Sequence, residues 1–284
     1  MGDDLKTTKR YRNIKMSTHV IRDIGVNNSK RMLARTESVT LMFDKLDYRV
    51  VTELFGFSEN SLLFYNESSL AEDRRLFKSK DPQISSLRAQ LLQLADHSLS
   101  FGPWSVMDKP KSSCSLSNNC HDYYSWQPYV WILRGKEVKK TKYVWRDSVM
   151  LPATLFNGIA SQRFDRTRLC YMQYNTTTLT LAYFMTGNMT YASHAAEAVR
   201  TWFIRNETRM NPHMQYARVY HWIANETESN DGIREMKDVY YFLDAVRILR
   251  QAGTFSDEDQ LALHEWFTLY LFWLESSRKG RNEY

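Results

Sequence analysis

Apolar residues recur at helical spacing in one segment after another through the second half of the chain, and this pattern most constrains the fold. Segments of this kind are typical of helices packed face to face. Gly187 and Gly253 are C-terminal stop signals, and Ser256 followed by three acidic residues predicts a helix start. No alternating strand pattern is visible after residue 80, so the sequence predicts an all-α body of paired helices. The predicted helical segments are 176–186, 191–204, 239–249 and 261–274.

The N-terminal part of the chain has a different character. Residues 1–50 are polar and weakly periodic, which predicts a largely disordered arm. A helical pattern begins at Ile84, and the Gly, Pro, Ser and Asn residues of 102–120 are typical of a loop. The expected organisation is therefore an unstructured arm and lead-in at 1–75 and a helical domain at 76–284.

The charge of the chain is concentrated in the arm. Residues 1–50 hold 11 Lys/Arg against 6 Asp/Glu, whereas the whole chain has a net charge of +6. Binding to a polyanion through net charge would therefore depend on the arm, and specific nucleic-acid binding by the body is not expected. A basic interaction protein acting through residues 1–50 remains one alternative function.

Cysteines and glycosylation sequons bear on the compartment. Cys114 and Cys120 either close a short disulfide loop or remain free thiols, and no zinc-ligand spacing is present. Six N-x-S/T triplets exceed the roughly two expected by chance and favour a secreted or otherwise extracytoplasmic glycoprotein. No signal peptide is visible, and no segment is long enough for a membrane span. The sequon at Asn27 lies in the arm, and the predicted glycosylation sites are Asn66, Asn175, Asn188, Asn206 and Asn225.

The first candidate site is the aromatic segment 121–129, His-Asp-Tyr-Tyr-Ser-Trp-Gln-Pro-Tyr, directly after the polar loop. Its rings could stack on sugar faces, while imidazole and phenol groups could bind hydroxyls or carboxylates. The alternative is a loop whose rings cover the end of the core. The candidate binding residues are His121, Asp122, Tyr123, Tyr124, Trp126 and Tyr129.

The second candidate site is the polar segment 209–216, Arg-Met-Asn-Pro-His-Met-Gln-Tyr. The proline disfavours helical geometry at the residue before it, so a loop or a helix start is expected. Neutral donors and acceptors of this kind suit a sugar ligand. The alternative is a capped helix end with a surface histidine. The candidate binding residues are Arg209, Asn211, His213, Gln215 and Tyr216.

Taken with their surroundings, these two segments resemble the alginate lyase family of helical polysaccharide lyases, over about residues 100–284. The resemblance implies an α/α toroid, in which helix pairs surround a cleft and a loop forms a lid. It also implies β-elimination on a uronate polymer, without a metal or other cofactor and with an acidic polysaccharide as the partner. The matching segments are 102–106, 108–110, 121–123, 128–129, 181–183, 186–187, 191–192, 195–196, 200–203, 208–212, 232–233, 243–245 and 266–274.

The resemblance also assigns roles within the two sites. His121, Tyr123 and Tyr124 would belong to the lid, and the residues of 209–216 would line the cleft. His213 stands where the family often has a second asparagine. The family's catalytic Asn-Asn-His block is expected beyond Tyr284, so we expect an incomplete toroid, catalytic residues that are unknown, and weak or no activity of this chain. A non-catalytic carbohydrate-binding protein is the alternative.

Overall fold

The computed structural model describes residues 62–79, 81–114, 117–133, 142–151, 162–219 and 232–282, and the predicted disordered arm lies outside these ranges. Helices account for most of the described chain, as predicted. The helices are α1 (Glu67–Phe77), α2 (Pro82–Ser98), α3 (Arg166–Thr186), α4 (Met189–Val199), α5 (Val239–Gln251), α6 (Asp257–Ser276) and α7 (Arg278–Asn282).

Two of the predicted helix boundaries are confirmed by their capping geometry. α3 ends at Gly187, whose positive φ of 78° suits a residue without a side chain, and whose amide donates to the Tyr183 carbonyl. α6 begins with a capping box, in which Ser256 and Asp259 each accept from the other's backbone amide. Three acidic residues in the first turn add a favourable interaction with the helix dipole.

The central element of the fold is α3, which packs against α1, α2, α4 and α5. It begins ten residues earlier than the sequence pattern indicated. Its first half carries Arg168 and Gln173, polar residues that are buried because other elements cover them. Buried polar side chains interrupt the apolar periodicity on which the sequence prediction depended.

Four short strands contradict the prediction that no strand follows residue 80. They escaped the sequence pattern because three or four residues are too few to show alternation. β1 pairs in parallel with β4, and β2 pairs antiparallel with β3 to form a hairpin. The strands are β1 (Tyr124–Trp126), β2 (Val130–Leu133), β3 (Lys142–Trp145) and β4 (Tyr216–Val219).

Residues 62–77 belong to the folded body, so the predicted boundary at residue 75 is wrong. The backbone amides of Leu63, Phe64 and Tyr65 donate to the carboxylate of Asp244, at 2.6 to 2.8 Å. Asp244 is fully buried in α5, and Leu70 of α1 is buried in the main core. This long-range contact is invisible to local sequence patterns.

Within the described residues, none of the helices combines the length and apolarity required to cross a lipid bilayer.

Candidate functional site

The parallel pairing of β1 with β4 brings the two candidate segments together. Tyr124 lies opposite Tyr216, and Trp126 lies opposite Val219. The amide of Gln127 continues the pairing by donating to the Val219 carbonyl at 3.0 Å. The segments 121–129 and 209–216 therefore lie side by side in the fold.

Asp122 is the shared acceptor at the centre of this site. Its Oδ1 accepts from the amide nitrogen of Asn211 at 2.6 Å and lies 3.0 Å from Nε2 of His213. Burial by itself would raise the pKa of Asp122, but hydrogen bonds from these two side chains and from Ser117 outweigh it, so the pKa lies below its ordinary value. Asp122 is therefore a carboxylate at neutral pH. Asp122, Asn211 and His213 are called the Asp122 cluster below.

The backbone around the Asp122 cluster is held from several sides. His121 Nδ1 lies 2.7 Å from the Arg209 carbonyl, and the His121 carbonyl accepts from the Asn211 amide at 2.9 Å. The indole nitrogen of Trp266 in α6 donates to the Met210 carbonyl at 2.6 Å. These contacts fix the segment directly before Asn211 and so preorganise the cluster.

A π-helical turn at Arg200–Ile204 supplies a further anchor for the same segment. The Trp202 carbonyl accepts from the Met210 amide at 2.8 Å, and the Thr201 carbonyl accepts from the Thr208 hydroxyl at 2.8 Å. The last carbonyls of a helix have no partner within it, and two of them here accept from the segment that follows. The turn that ends α4 thus helps to place the cluster.

Two aromatic rings lie near the His213 ring. The ring centroids of Tyr216 and Trp273 each lie 6.2 Å from that of His213. Burial and the nearby charge of Asp122 raise the pKa of Tyr216, so its hydroxyl stays protonated at neutral pH and can donate a hydrogen bond. Sequence reasoning missed Trp273 as a site residue, because helical periodicity assigned it to the core of α6.

Lys279 supports the site from the C-terminal helix α7. Its ammonium donates to the carbonyls of Ala217 and Gln215, at 2.7 and 3.2 Å, and the side chain is buried. Gln215 itself is half-buried. The sequence indicated only a polar chain segment after α6, since no local signal distinguishes a buried lysine from an exposed one.

Two predicted binding residues are corrected by their burial. The Tyr123 ring is fully buried, and its hydroxyl donates to Oε2 of Glu235 at 2.7 Å. Trp126 is 5% exposed, and its indole nitrogen donates to the Val130 carbonyl. Neither ring can stack on a sugar, so for these two positions the alternative, rings that cover the end of the core, is correct.

Glu235 connects these buried groups to the paired strands β1 and β4. Besides Tyr123, its carboxylate accepts from the Ser125 hydroxyl at 2.6 Å and from Arg218 at 3.3 Å, and Arg166 lies 3.6 Å away. A buried carboxylate requires this many donors to offset its lost hydration. Glu235 is thus a structural residue behind the site that the sequence did not single out.

The remaining predicted residues lie at the edges of the site. Tyr124 is half-buried, and its ring centroid lies 5.5 Å from that of Phe164. Arg209 is exposed, and its backbone carbonyl lies 2.7 Å from Nδ1 of His121. Tyr129 is half-buried at the base of the β2–β3 hairpin.

A buried ion pair ties the loop before His121 to the start of α3. Nζ of Lys109 lies 2.9 Å from Oδ2 of Asp165, with both side chains fully buried, and also donates to the Cys120 carbonyl at 2.7 Å. Burial raises the pKa of Asp165 to about 6, although the Lys109 charge opposes the shift. The loop also contains a disulfide between Cys114 and Cys120, a pairing that the sequence left open.

The predicted glycosylation sites differ in accessibility. Asn66, Asn188 and Asn206 are exposed. Asn175 lies in the middle of α3 with 6% of its surface exposed, so a glycan there is incompatible with the fold and that prediction is wrong. Asn225 lies outside the described residues.

No group of three or more His, Cys, Asp or Glu side chains placed to hold a metal ion occurs in the part of the chain that the structure describes.

The sequence profile of the alginate lyase family matches residues 105–284, and the chain belongs to this polysaccharide lyase family. A solved structure of an alginate lyase from Bacteroides ovatus is similar, with 27% sequence identity and a TM-score of 0.67. The match covers 76% of this chain and 54% of that protein, so this chain spans about half of that relative's length. No curated protein matches the sequence significantly. The predicted family and all-α fold are confirmed.

Proposed function

We propose that the protein is a polysaccharide lyase that cleaves a uronate-containing glycan by β-elimination, and that the Asp122 cluster with Tyr216 and Trp273 binds the sugar chain. The observation that carries the proposal is the convergence of two distant polar and aromatic segments on Asp122. Family membership supports the reaction class, and the half-buried rings beside His213 support a sugar ligand.

The chemistry of the site suits a sugar acid. Asn211 and His213 both contact the Asp122 carboxylate through hydrogen-bonding groups. These contacts reduce the repulsion between Asp122 and an incoming sugar carboxylate. The protonated hydroxyl of Tyr216 can donate to a sugar oxygen. In β-elimination, donors that offset the charge of the C5 carboxylate make the C5 proton more acidic, which is electrostatic stabilisation of the transition state.

We also propose that the protein acts outside the cytoplasm. The Cys114–Cys120 disulfide is typical of an oxidising compartment. Three of the sequons are exposed, including Asn206 after the π turn. Enzymatic removal of N-glycans from the protein secreted by a eukaryotic host should increase its gel mobility, and unchanged mobility would count against glycosylation.

The test of the function is a lyase assay paired with a binding measurement. The protein is incubated with polymannuronate, polyguluronate and a neutral β-glucan, and unsaturated product is followed by ultraviolet absorbance. Binding is measured in parallel by affinity gel electrophoresis. We expect uronate polymers to bind and to be cleaved only weakly, and the neutral glucan to do neither. A His213→Ala variant should bind about tenfold more weakly, whereas His97→Ala in α2 serves as the matched control.

The outcomes separate the candidate functions. Unsaturated product from a uronate polymer supports the lyase. Binding without product, under conditions in which a known lyase is active, supports the alternative of a non-catalytic carbohydrate-binding protein. Absence of both for every uronate polymer tested would overturn the proposed function.

A further inference from the structure

The sequence segment that contains the β2–β3 hairpin is rich in basic residues. Residues 128–151 contain six Lys/Arg against two Asp/Glu, a balance of +4 in a chain whose net charge is +6. Because residues 1–50 carry +5 of that charge, the rest of the body is slightly acidic. The net charge of this segment therefore favours anions.

Aromatic rings accompany the positive charge. The guanidinium of Arg146 lies 4.7 Å from the ring centroid of Trp131, a cation–π contact. The rings of Tyr129 and Trp145 are 6.0 Å apart, and Trp145 is 44% exposed. Tyr129, Trp131, Trp145 and Arg146 are called the hairpin patch below. The patch therefore consists of two contact pairs, which adjoin along the backbone because Trp145 and Arg146 are adjacent in the chain.

Hydrogen bonds from the indole nitrogens hold the two tryptophan rings of the hairpin patch in place. The indole nitrogen of Trp131 donates to the Val149 carbonyl at 2.8 Å, and that of Trp145 donates to the Asp147 carboxylate. The Arg146 amide donates to the Tyr129 carbonyl at 2.9 Å and so extends the strand pairing. Fixed rings lose little conformational entropy when a ligand stacks on them.

The hairpin patch is continuous with the candidate site. Only residues 127–129 separate β1 from β2, and the Gln127 amide is bound to Val219 of β4. The Leu151 amide closes the hairpin base by donating to the Pro128 carbonyl at 2.6 Å. The buried side chains of Trp126 and Val130 form a small core beneath this base. The hairpin is thus attached directly to the strand that follows Asp122.

We propose that the hairpin patch is an accessory subsite that holds uronate residues of the polymer outside the Asp122 cluster, an inference that rests on the proposed function. The exposed Trp145 ring offers a stacking surface for a sugar face. Arg146 offers a cation whose planar fork matches a carboxylate. A polyuronate presents both chemistries at every sugar unit, and its length allows one chain to occupy the patch and the cluster together.

The test compares charge-matched and ring-matched variants of the full chain. Dissociation constants for polymannuronate and polyguluronate are measured for Arg146→Gln and Trp145→Ala. The controls are Arg75→Gln, which removes the same charge from exposed α1, and Phe272→Ala, which removes an exposed ring from α6. We expect each hairpin variant to weaken binding about tenfold, because one charge-assisted contact or one stacked ring contributes roughly 1.4 kcal/mol. The controls should stay within about twofold.

Three outcomes would overturn the inference. Equal weakening by Arg75→Gln and Arg146→Gln would mean that only net charge matters. Unchanged polymer affinity in both hairpin variants, together with weaker binding by His213→Ala, would rule out the subsite without contradicting the proposed function. Binding to vesicles of anionic phospholipid that is lost in the hairpin variants, without an effect on polymer affinity, would assign the patch to a membrane surface. Wild-type protein that binds no uronate polymer would overturn the proposed function itself.

Discussion

Oδ1 of Asp122 and Nε2 of His213 lie 3.0 Å apart, although the two residues come from separate segments of the chain. The same oxygen accepts from Asn211 at 2.6 Å. One carboxylate oxygen therefore connects the segment before β1 to the segment before β4. Changes at Asp122 should affect the geometry of both segments, and changes at His213 should mainly affect the ligand.

The contribution of Asp122 to stability should depend on pH. Its hydrogen bonds hold the folded-state pKa below the ordinary value of 3.8, so the folded chain binds this proton less readily than the unfolded chain does. The stabilisation is therefore fully present above about pH 4 and is lost as the pH falls through the lower folded-state pKa. Asp122→Asn should lower the unfolding free energy by about 1–3 kcal/mol at neutral pH.

Thermal unfolding of both proteins between pH 3 and pH 7 checks this prediction. The difference in melting temperature should be largest above pH 5 and should shrink below pH 4. A difference that is constant over the whole range would mean that ionised Asp122 contributes nothing specific. The same pH scan of His213→Asn shows how much of the difference in melting temperature comes from His213.

His213 should matter more for ligand affinity than for folding, because its ring is only partly buried. His213→Ala removes the ring that lies near Tyr216 and Trp273, and we expect about a tenfold loss of affinity for a uronate polymer. His213→Asn should retain part of the affinity, since an amide can still donate to Asp122. Calorimetric titration with oligouronates measures both, and equal affinities of the two variants would contradict a role for the hydrogen bond.

Much of the fold could be predicted because its signals are local. The capping box of Ser256 and the glycine that ends α3 each act within one helical turn, so the sequence shows them directly. The start of α3 and the place of residues 62–65 could not be predicted. Both depend on buried polar contacts between distant residues, such as the three amides bound to Asp244.

The candidate site was predicted in outline, because two short segments concentrated polar and aromatic residues. Which rings face solvent could not be predicted. Tyr123 and Tyr124 are neighbours with similar chemistry, yet Tyr123, directly before β1, is completely buried and Tyr124, in β1, is half-buried. Lys279 was also missed, since its role depends on carbonyls of β4 that only the fold brings near.

Tyr123 should affect stability and leave ligand binding unchanged. Tyr123→Phe removes a buried hydroxyl from a charged acceptor, Glu235, which should cost about 2 kcal/mol. Urea unfolding measures the loss, and polymer affinity should match that of the wild type at a temperature where both are folded. Tyr183→Phe, at a half-buried position of α3, is the control. A selective loss of affinity in Tyr123→Phe would restore the original prediction that this residue binds substrate.

The buried pair of Lys109 and Asp165 gives the largest predicted change in stability. Lys109→Met leaves the Asp165 charge buried without its nearest cation, so the unfolding free energy should fall by about 3–5 kcal/mol. The double variant with Asp165→Asn removes both charges and should be more stable than Lys109→Met alone, because no uncompensated carboxylate remains.

Urea unfolding of the wild type, the two single variants and the double variant closes the thermodynamic cycle for this pair. Lys111→Met is the matched control, since the side chain is exposed in the same loop and should change stability by less than about 0.5 kcal/mol. Strictly additive effects of the two single substitutions would show that the charges do not interact. In that case the loop before His121 would depend on the carbonyl contacts of Lys109 and on the disulfide, and not on the ion pair.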